Sequence, residues 1–357
     1  MKQKYYSCDR ILKEDANYNI LLGERSNGKS YAIKEYCLRE SYHNNNKFIY
    51  LRRYMMDVKN KMVTGYFVDA PIKSISNGNF SAIECVQGSI YCGNYDENGK
   101  FIKGKELGKV MYLSGNEHFK SQGYVGFGNI IFEEFVTKGL YLDDEPNQLQ
   151  ELVSTVARRN KIRVWLIGNT INRVNPYFSA WGLKNIPNQK QGTIENYYFH
   201  TNQVDEDGKK IVIKISVEFC ENSGNNSKMF FGSKEKSIAS GSWETKEYPI
   251  YKPKTTHEKL YTLLFTFNGF FFKINLMIDT SSGGKFLFIY PCKPQDNRDD
   301  RIVTIDFSTN PLHTNTLRSD IPAECDIREC IGLNKICYSD NLTAEDFQQS
   351  MKQLGGI

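Results

Sequence analysis

The chain has 357 residues, 40% hydrophobic and 24% charged, with 46 Lys plus Arg against 41 Asp plus Glu and a formal net charge of +5. These are the proportions of a globular protein long enough for two domains. The most apolar stretch, Leu260 to Phe272, is interrupted by Asn268 and closed by Lys273, which excludes a bilayer-spanning helix there. The start, Met1-Lys2-Gln3-Lys4-Tyr5-Tyr6, has no apolar signal region, so a cytoplasmic location is expected. Nine cysteines stand at 8, 37, 85, 92, 220, 292, 325, 330 and 337 without a C-x-x-C pair or histidines at metal-ligand spacing. Reduced buried thiols are therefore expected, not a zinc site. The basic excess is uneven: 13 Lys plus Arg face 15 Asp plus Glu from Gly241 onward, against 33 and 26 before it. A nucleic-acid surface is accordingly expected on the first 240 residues.

In chain order, Asn19 to Leu22 reads as a buried parallel strand. Gly23-Glu24-Arg25-Ser26-Asn27-Gly28-Lys29-Ser30 follows, a complete G-x-x-x-x-G-K-[ST] phosphate loop running on into Tyr31. The glycines let the backbone curl its N–H groups around phosphate oxygens, Lys29 supplies charge to the outer phosphates, and the Ser30 hydroxyl can ligate magnesium. Lys29 to Glu40 sets Ile33, Tyr36 and Cys37 on one helical face, so the loop sits between strand and helix with the phosphates at the helix N-terminus. This predicts a site for ATP and Mg2+.

Lys47 to Leu51 reads as a second strand ending in Arg52-Arg53, and Ser81 to Ser114 as inserted β-hairpins with an Asn-Gly turn at Asn98-Gly99. Asn129 to Phe132 is a short apolar strand delivering Glu133-Glu134. Asp143-Asp144-Glu145-Pro146 opens a helix with acids by its N-terminus and Leu149, Leu152, Val153 and Val156 on one face, ending at Arg158-Arg159. Arg163 to Ile167 is another buried strand, followed by Gly168-Asn169-Thr170. Alternating strands and helices imply an α/β, doubly wound parallel sheet with its ligand at the strands' carboxyl ends. Beyond Pro187, Asn196 to His200 and Lys210 to Glu218 read as strands joined by Asp205-Glu206-Asp207-Gly208, and Glu221 to Ser242 as a linker. A smaller domain starts near Tyr248, with strands at 263–267, 270–278, 285–289 and 302–307 and a helix at 343–353. The expected division is 1–200, a linker or lid over 201–247, and 248–357.

Several positions admit a chemical and a plain reading. Glu133 is expected to orient magnesium and Glu134 to polarise the water attacking the γ-phosphate; otherwise the pair merely closes a strand. Asn169 is a γ-phosphate sensor or a turn residue. Arg158 or Arg159 is a finger for a neighbouring subunit's site, Arg158 preferred, or a cation at a helix C-terminus. Arg25 touches phosphate or solvent. Arg52 and Arg53 face DNA or a subunit interface.

Four motifs, Gly23 to Tyr31 (G-E-R-S-N-G-K-S-Y), Ile49 to Tyr54 (I-Y-L-R-R-Y), Ile130 to Phe135 (I-I-F-E-E-F) and Leu166 to Thr170 (L-I-G-N-T), resemble the DNA-encapsidation ATPases of small podophages of the phi-29 type. The resemblance is specific to about residue 200. It implies an additional-strand, catalytic-glutamate (ASCE) P-loop ATPase that forms a ring, a pentamer in that family, on the portal of an empty prohead. Such a ring drives double-stranded DNA inward, in the host cytoplasm, without a membrane and in some cases with a structural RNA. It also implies an α+β C-terminal domain, RNase H-like and vestigial as a nuclease. Glu133 stands where the family usually has Asp, leaving direct and water-mediated magnesium coordination both open. Asp279 and Asp306 lie on candidate strands without an evident two-metal cluster, and Asp296, Asp299 and Asp300 read as a solvated loop. Alternatives are a large terminase with a working nuclease and a nucleotide-switched assembly module; a P-loop kinase is disfavoured by Glu134 and the lack of a lid segment.

Overall fold

The computed structural model describes residues 5–120, 122–158, 161–170, 173–204, 208–221, 246–293, 301–304, 310 and 313–353. Two sheets organise them. In the first, β1 (Tyr18–Gly23), β2 (Lys47–Arg52), β6 (Phe127–Glu133) and β7 (Arg163–Asn169) are parallel and neighbouring in the order β2-β6-β7-β1. Their residues alternate between two cores, as the two-residue period of a strand demands. Ile20, Leu22, Ile130, Phe132, Val164 and Leu166 enter one core, closed by Leu149, Leu152, Val153 and Val156 of α5 (Glu145–Ala157). Leu21, Phe48, Tyr50, Ile131 and Trp165 enter the other, closed by Ile33, Cys37 and Leu38 of α2 (Lys29–Asn44). A helix on each face explains why these strands read as continuous apolar runs.

The inserted hairpins form as expected but continue the sheet. β3 (Ala82–Val86) and β4 (Ser89–Tyr95) are antiparallel, β4 pairs with β5 (Phe101–Tyr112), and β5 runs parallel beside β2. At the other end β8 (Thr193–Val204) pairs with β9 (Lys210–Phe219), and β9 runs parallel beside β1. The strand expected at 210–218 thus joins the first sheet, and Cys220 N–H still bonds Leu22 O at 2.8 Å. Residues 205–207 and 222–245, where the turn and most of the linker were expected, lie outside the described residues.

The second sheet has the order β14-β13-β10-β11-β12-β15. Its meander is β10 (His257–Phe267), β11 (Phe270–Asp279) and β12 (Gly284–Pro291); β13 (Ile302–Thr304) runs parallel to β10, β14 (His313–Thr314) to β13 and β15 (Ile336–Tyr338) to β12. The expected terminal helix runs over Asn341–Gln353, and a helix not foreseen spans Pro322–Gly332. Phe265, Phe272 and Phe347 meet in this core, joined by Val174 from the segment after β7. Asp296, Asp299, Asp300 and Asp306 lie outside the described residues. Six of the nine cysteines, at 8, 37, 85, 92, 220 and 330, are buried. Among the described residues no helix is long and apolar enough to cross a membrane.

The two sheets meet at a buried ion pair: Arg173 donates through both Nε and Nη2 to Asp346 of the terminal helix, whose side chain is 5% exposed. Burial pushes the Asp346 carboxyl up, opposed by Arg173. Removing one partner of such a pair strands the other in low dielectric. Arg173→Ala is therefore expected to lose about 3 kcal/mol of stability, and Arg173→Leu combined with Asp346→Leu to recover most of it, as read by scanning calorimetry.

Candidate active site

β1 delivers Gly23 and α2 begins at Lys29, so the phosphate loop spans the carboxyl end of one strand and the N-terminus of one helix. Gly28 closes it at φ 94°, a left-handed conformation that glycine adopts without a Cβ penalty. Tyr5 packs beside it: a Cβ at Gly28 would lie at ordinary contact distance, 3.4 Å, from the Tyr5 ring. Ser26 is likewise left-handed, at φ 62°. The N–H groups opening α2 have no intrahelical acceptor, which is what makes a helix start an anion site.

Lys29 is 4% exposed, and its Nζ donates to Glu24 O at 2.6 Å and Asn27 Oδ1 at 3.2 Å. Burial pulls its pKa down, opposed by Cys220, Glu133 and Glu24. Asn27 Nδ2 is buried without a hydrogen-bond partner among the described residues. A buried ammonium resting on main-chain oxygen and an orphaned amide donor in one loop are a donor set that suits phosphate oxygens.

Across the loop, Ser30 Oγ donates to Glu133 Oε2 at 3.2 Å, while Tyr66 OH donates to Glu133 Oε1 at 2.6 Å. Burial pushes the Glu133 carboxyl up, and these two bonds oppose the rise. A hydroxyl and a carboxylate oxygen in contact are hard donors of the kind magnesium takes, so the fit is good. Glutamate at 133 thus reaches the loop's serine directly. Tyr66, the last residue of α3 (Asn60–Tyr66), carries no sequence signal for this contact.

Glu134 leaves the strand at φ 56° and is exposed; its Oε2 accepts from Arg52 Nη2 at 2.6 Å. It lines a cavity of about 360 Å³ together with Glu133, Arg25, Arg52, Lys138 and Asn169. Asn169 ends β7 beside the loop, where Thr170 N–H donates to Gly23 O at 3.1 Å. Gly168 is required there, because a Cβ would lie 2.6 Å from Val136 and 2.8 Å from Phe135. Arg25 lines the cavity but is exposed.

One expectation changes. Arg53 does not face DNA or a subunit: it is 6% exposed and grips Glu145 at 2.7 and 2.8 Å, Phe135 O at 2.8 Å and Glu134 O at 3.3 Å. Arg52 turns to Glu134 instead. Glu145 stands in the first turn of α5 as expected; it is fully buried and also accepts from Tyr177 OH and Leu142 N–H, each at 2.8 Å. Arg158 caps α5 at the opposite end of the strands, donating to Lys120 O at 2.8 Å. That is a strand length, roughly 20 Å, from this chain's own phosphate loop. Arg159 lies outside the described residues.

With this geometry established, residues 1–199 match the family described as podovirus DNA encapsidation protein (Gp16), and the chain belongs to that family. It is 33% identical over 181 residues to the DNA packaging protein of Bacillus phage B103, covering 50% of each chain. It is 30% identical over 187 residues to that of Bacillus phage phi29, covering 51% of each. The chain thus spans about half the length of the curated relatives it matches. In fold it resembles the bacteriophage Phi-29 viral genome packaging motor assembly (TM-score 0.56, 21% identity, 98% of this chain and 99% of that one). It also resembles the Phi-28 gp11 DNA packaging motor (TM-score 0.51, 17% identity, 99% and 98%).

Glu145→Gln would place amide N–H donors against the Arg53 guanidinium and the Leu142 N–H. The expected loss is about 3 kcal/mol, seen as a lower urea midpoint at unchanged slope.

Proposed function

We propose that this chain is an ATP-hydrolysing motor that drives double-stranded DNA into a preformed prohead. The observation that carries the reading is the convergence, on one strand edge, of the phosphate loop, the Ser30–Glu133 contact, Glu134 and Asn169. The ASCE assignment is supported by β7 lying between the loop-bearing β1 and the Glu133-bearing β6. The RNase H-like assignment is supported by a three-stranded meander continued from its first strand by two parallel strands.

In this mechanism Lys29 exchanges Glu24 O and Asn27 Oδ1 for phosphate oxygens. Ser30 and Glu133 are the residues that would hold a magnesium ion, which would supply neutralisation of the charge developing on the phosphates. Glu134 parts from Arg52, orients water in line with the γ-phosphorus and accepts its proton as the new P–O bond forms and the bond to ADP breaks. Asn169 bonds the γ-phosphate, and its coupling to Gly23 through Thr170 links phosphate loss to the segment carrying Arg173. Arg158, remote from its own site, acts in trans on a neighbour in a homo-oligomeric ring, a pentamer docked on the portal. The DNA-binding surface belongs to the more basic first 240 residues. The second sheet serves docking; Asp279 is occupied with Ser281 and neighbours the His257 ring at 3.7 Å. The motor works in the host cytoplasm.

The test is ATP hydrolysis with and without linear double-stranded DNA at low salt. Stimulation growing with DNA length is expected, and Glu134→Gln should bind ATP but hydrolyse it at least 100-fold more slowly (about 10²–10⁴ for a general base). Hydrolysis indifferent to DNA that is shown to bind would instead favour a nucleotide-timed assembly switch.

Tyr66→Phe removes a donor that holds the Glu133 carboxyl down, so its pKa should rise further. Because the metal requires the carboxylate, magnesium-dependent ATP affinity should increase as pH rises through that pKa. In the variant this increase should shift to higher pH, with affinity about tenfold weaker below it. Calorimetric titration over a pH series checks both.

A further inference from the structure

Glu133 is held from two sides by contacts that trace back to one helix face. Ser30 and Lys34 stand one turn apart on α2, the spacing that puts two residues on the same side of a helix. Ser30 Oγ donates to Glu133 Oε2 at 3.2 Å, and Tyr66 OH donates to the other oxygen, Oε1, at 2.6 Å. Lys34 holds Tyr66 in turn. Its Nζ donates to Tyr66 O at 2.7 Å and lies 4.7 Å from the centre of the Tyr66 ring, which also packs 4.6 Å from the ring of Tyr50 on β2. The contacts thus close a circuit from α2 through Glu133 and Tyr66 back to α2. Lys34 is 4% exposed, whereas its carboxylate partner, Asp69, has a side chain 58% exposed.

We infer that Lys34 is a positioning residue for the Glu133 carboxylate: by fixing Tyr66 it keeps one Glu133 oxygen occupied and the other turned to Ser30. The inference rests on the reading of Ser30 and Glu133 as the residues that would hold magnesium. An ammonium buried to this degree loses most of its hydration, and a carboxylate left largely in water returns little of it. An apolar side chain would fill the same place at lower cost. What the ammonium adds is a bond to the carbonyl of the last residue of α3, where main-chain oxygens lack intrahelical donors. With seven residues, α3 is too short to hold its own end in place. Tyr66 is therefore fixed at both ends, its main chain by Lys34 and its hydroxyl by Glu133. Among the described residues Lys34 bonds Tyr66 and Asp69, not Glu133 itself, so it acts through Tyr66. Groups that orient a metal-binding side chain in this way govern metal affinity without touching the metal.

The experiment titrates the full chain with a non-hydrolysable ATP analogue, once with magnesium and once in EDTA. Lys34→Met removes the ammonium and keeps an apolar stem, and it leaves Asp69 solvated. Affinity with magnesium should fall about tenfold, while affinity in EDTA stays at the wild-type value. Lys34→Gln serves with the same readout where the methionine variant does not fold. Lys34→Met combined with Tyr66→Phe should lose no more than Tyr66→Phe alone, because both act through one contact. Equal losses with magnesium and in EDTA, or additive losses in the double variant, would overturn the role of Lys34. So would an affinity with magnesium that the Lys34 variant leaves intact and Glu133→Gln abolishes. A wild-type affinity that is the same with magnesium and in EDTA, or that Glu133→Gln leaves unchanged, would remove the magnesium reading and this inference with it.

Discussion

The buried pair of Arg53 and Glu145 is the constraint on which the active-site frame depends. Two charges removed from water are stabilising only when every lone pair and proton is used. Here Glu145 accepts four hydrogen bonds, two on each oxygen, from Arg53, Leu142 N–H and Tyr177. Arg53 gives two of its other N–H donors to the main-chain oxygens of Glu134 and Phe135, and its guanidinium lies 5.0 Å from the Tyr141 ring centre. The end of β2, the turn after β6 and the first turn of α5 are thereby one rigid unit. Arg52 and Arg53 are consecutive at the end of a strand, so they point to opposite sides. One sets the frame from inside, and the other reaches the exposed carboxylate of Glu134.

That frame extends to the second sheet through the two loops that border the active-site cavity. Lys352 of the terminal helix donates to Lys138 O, in the loop after β6, and Asp346 of the same helix holds Arg173, in the segment after β7. Val174 is built into the second core, while Leu342 packs against the first. One helix therefore touches both segments that would sense a change at Glu134 or Asn169. Packed interiors switch between arrangements more readily than they deform continuously. A shift in either loop is thus more naturally passed on as movement of the terminal helix than absorbed locally.

What the sequence revealed follows from the range of the interactions involved. The phosphate loop and the strands at 19–22, 47–51 and 163–167 are written in local pattern, because a strand buried on both faces and a loop curled around phosphate are each specified by adjacent residues. Strand order is not written that way. Nothing within 210–218 says that β9 lies beside β1. Glu145 was legible as an acid at a helix start, yet its partner is 92 residues away. The same holds for Tyr66 and Glu133, separated by 67 residues. Charge pairs and single hydroxyl donors emerge only once the sheet has brought distant segments together.

The left-handed turn at Glu134 shows how the fold makes use of a locally unfavourable conformation. Along β6, Ile131 faces the α2 side, Phe132 the α5 side, and Glu133 the α2 side again, where Ser30 and Tyr66 wait. Continued as a strand, the chain would drive the Glu134 carboxylate into the core beneath α5, an unpaired charge costing several kcal/mol. A non-glycine residue at positive φ costs roughly 1–3 kcal/mol, which is the smaller penalty. It redirects the side chain to the cavity and turns Phe135 into the core in its place, fully buried against Tyr177 at 5.7 Å between ring centres. Arg53, bonded to the carbonyls of both residues, holds that turn, so the buried ion pair and the strained backbone at Glu134 are parts of one device for presenting a carboxylate at the end of a strand.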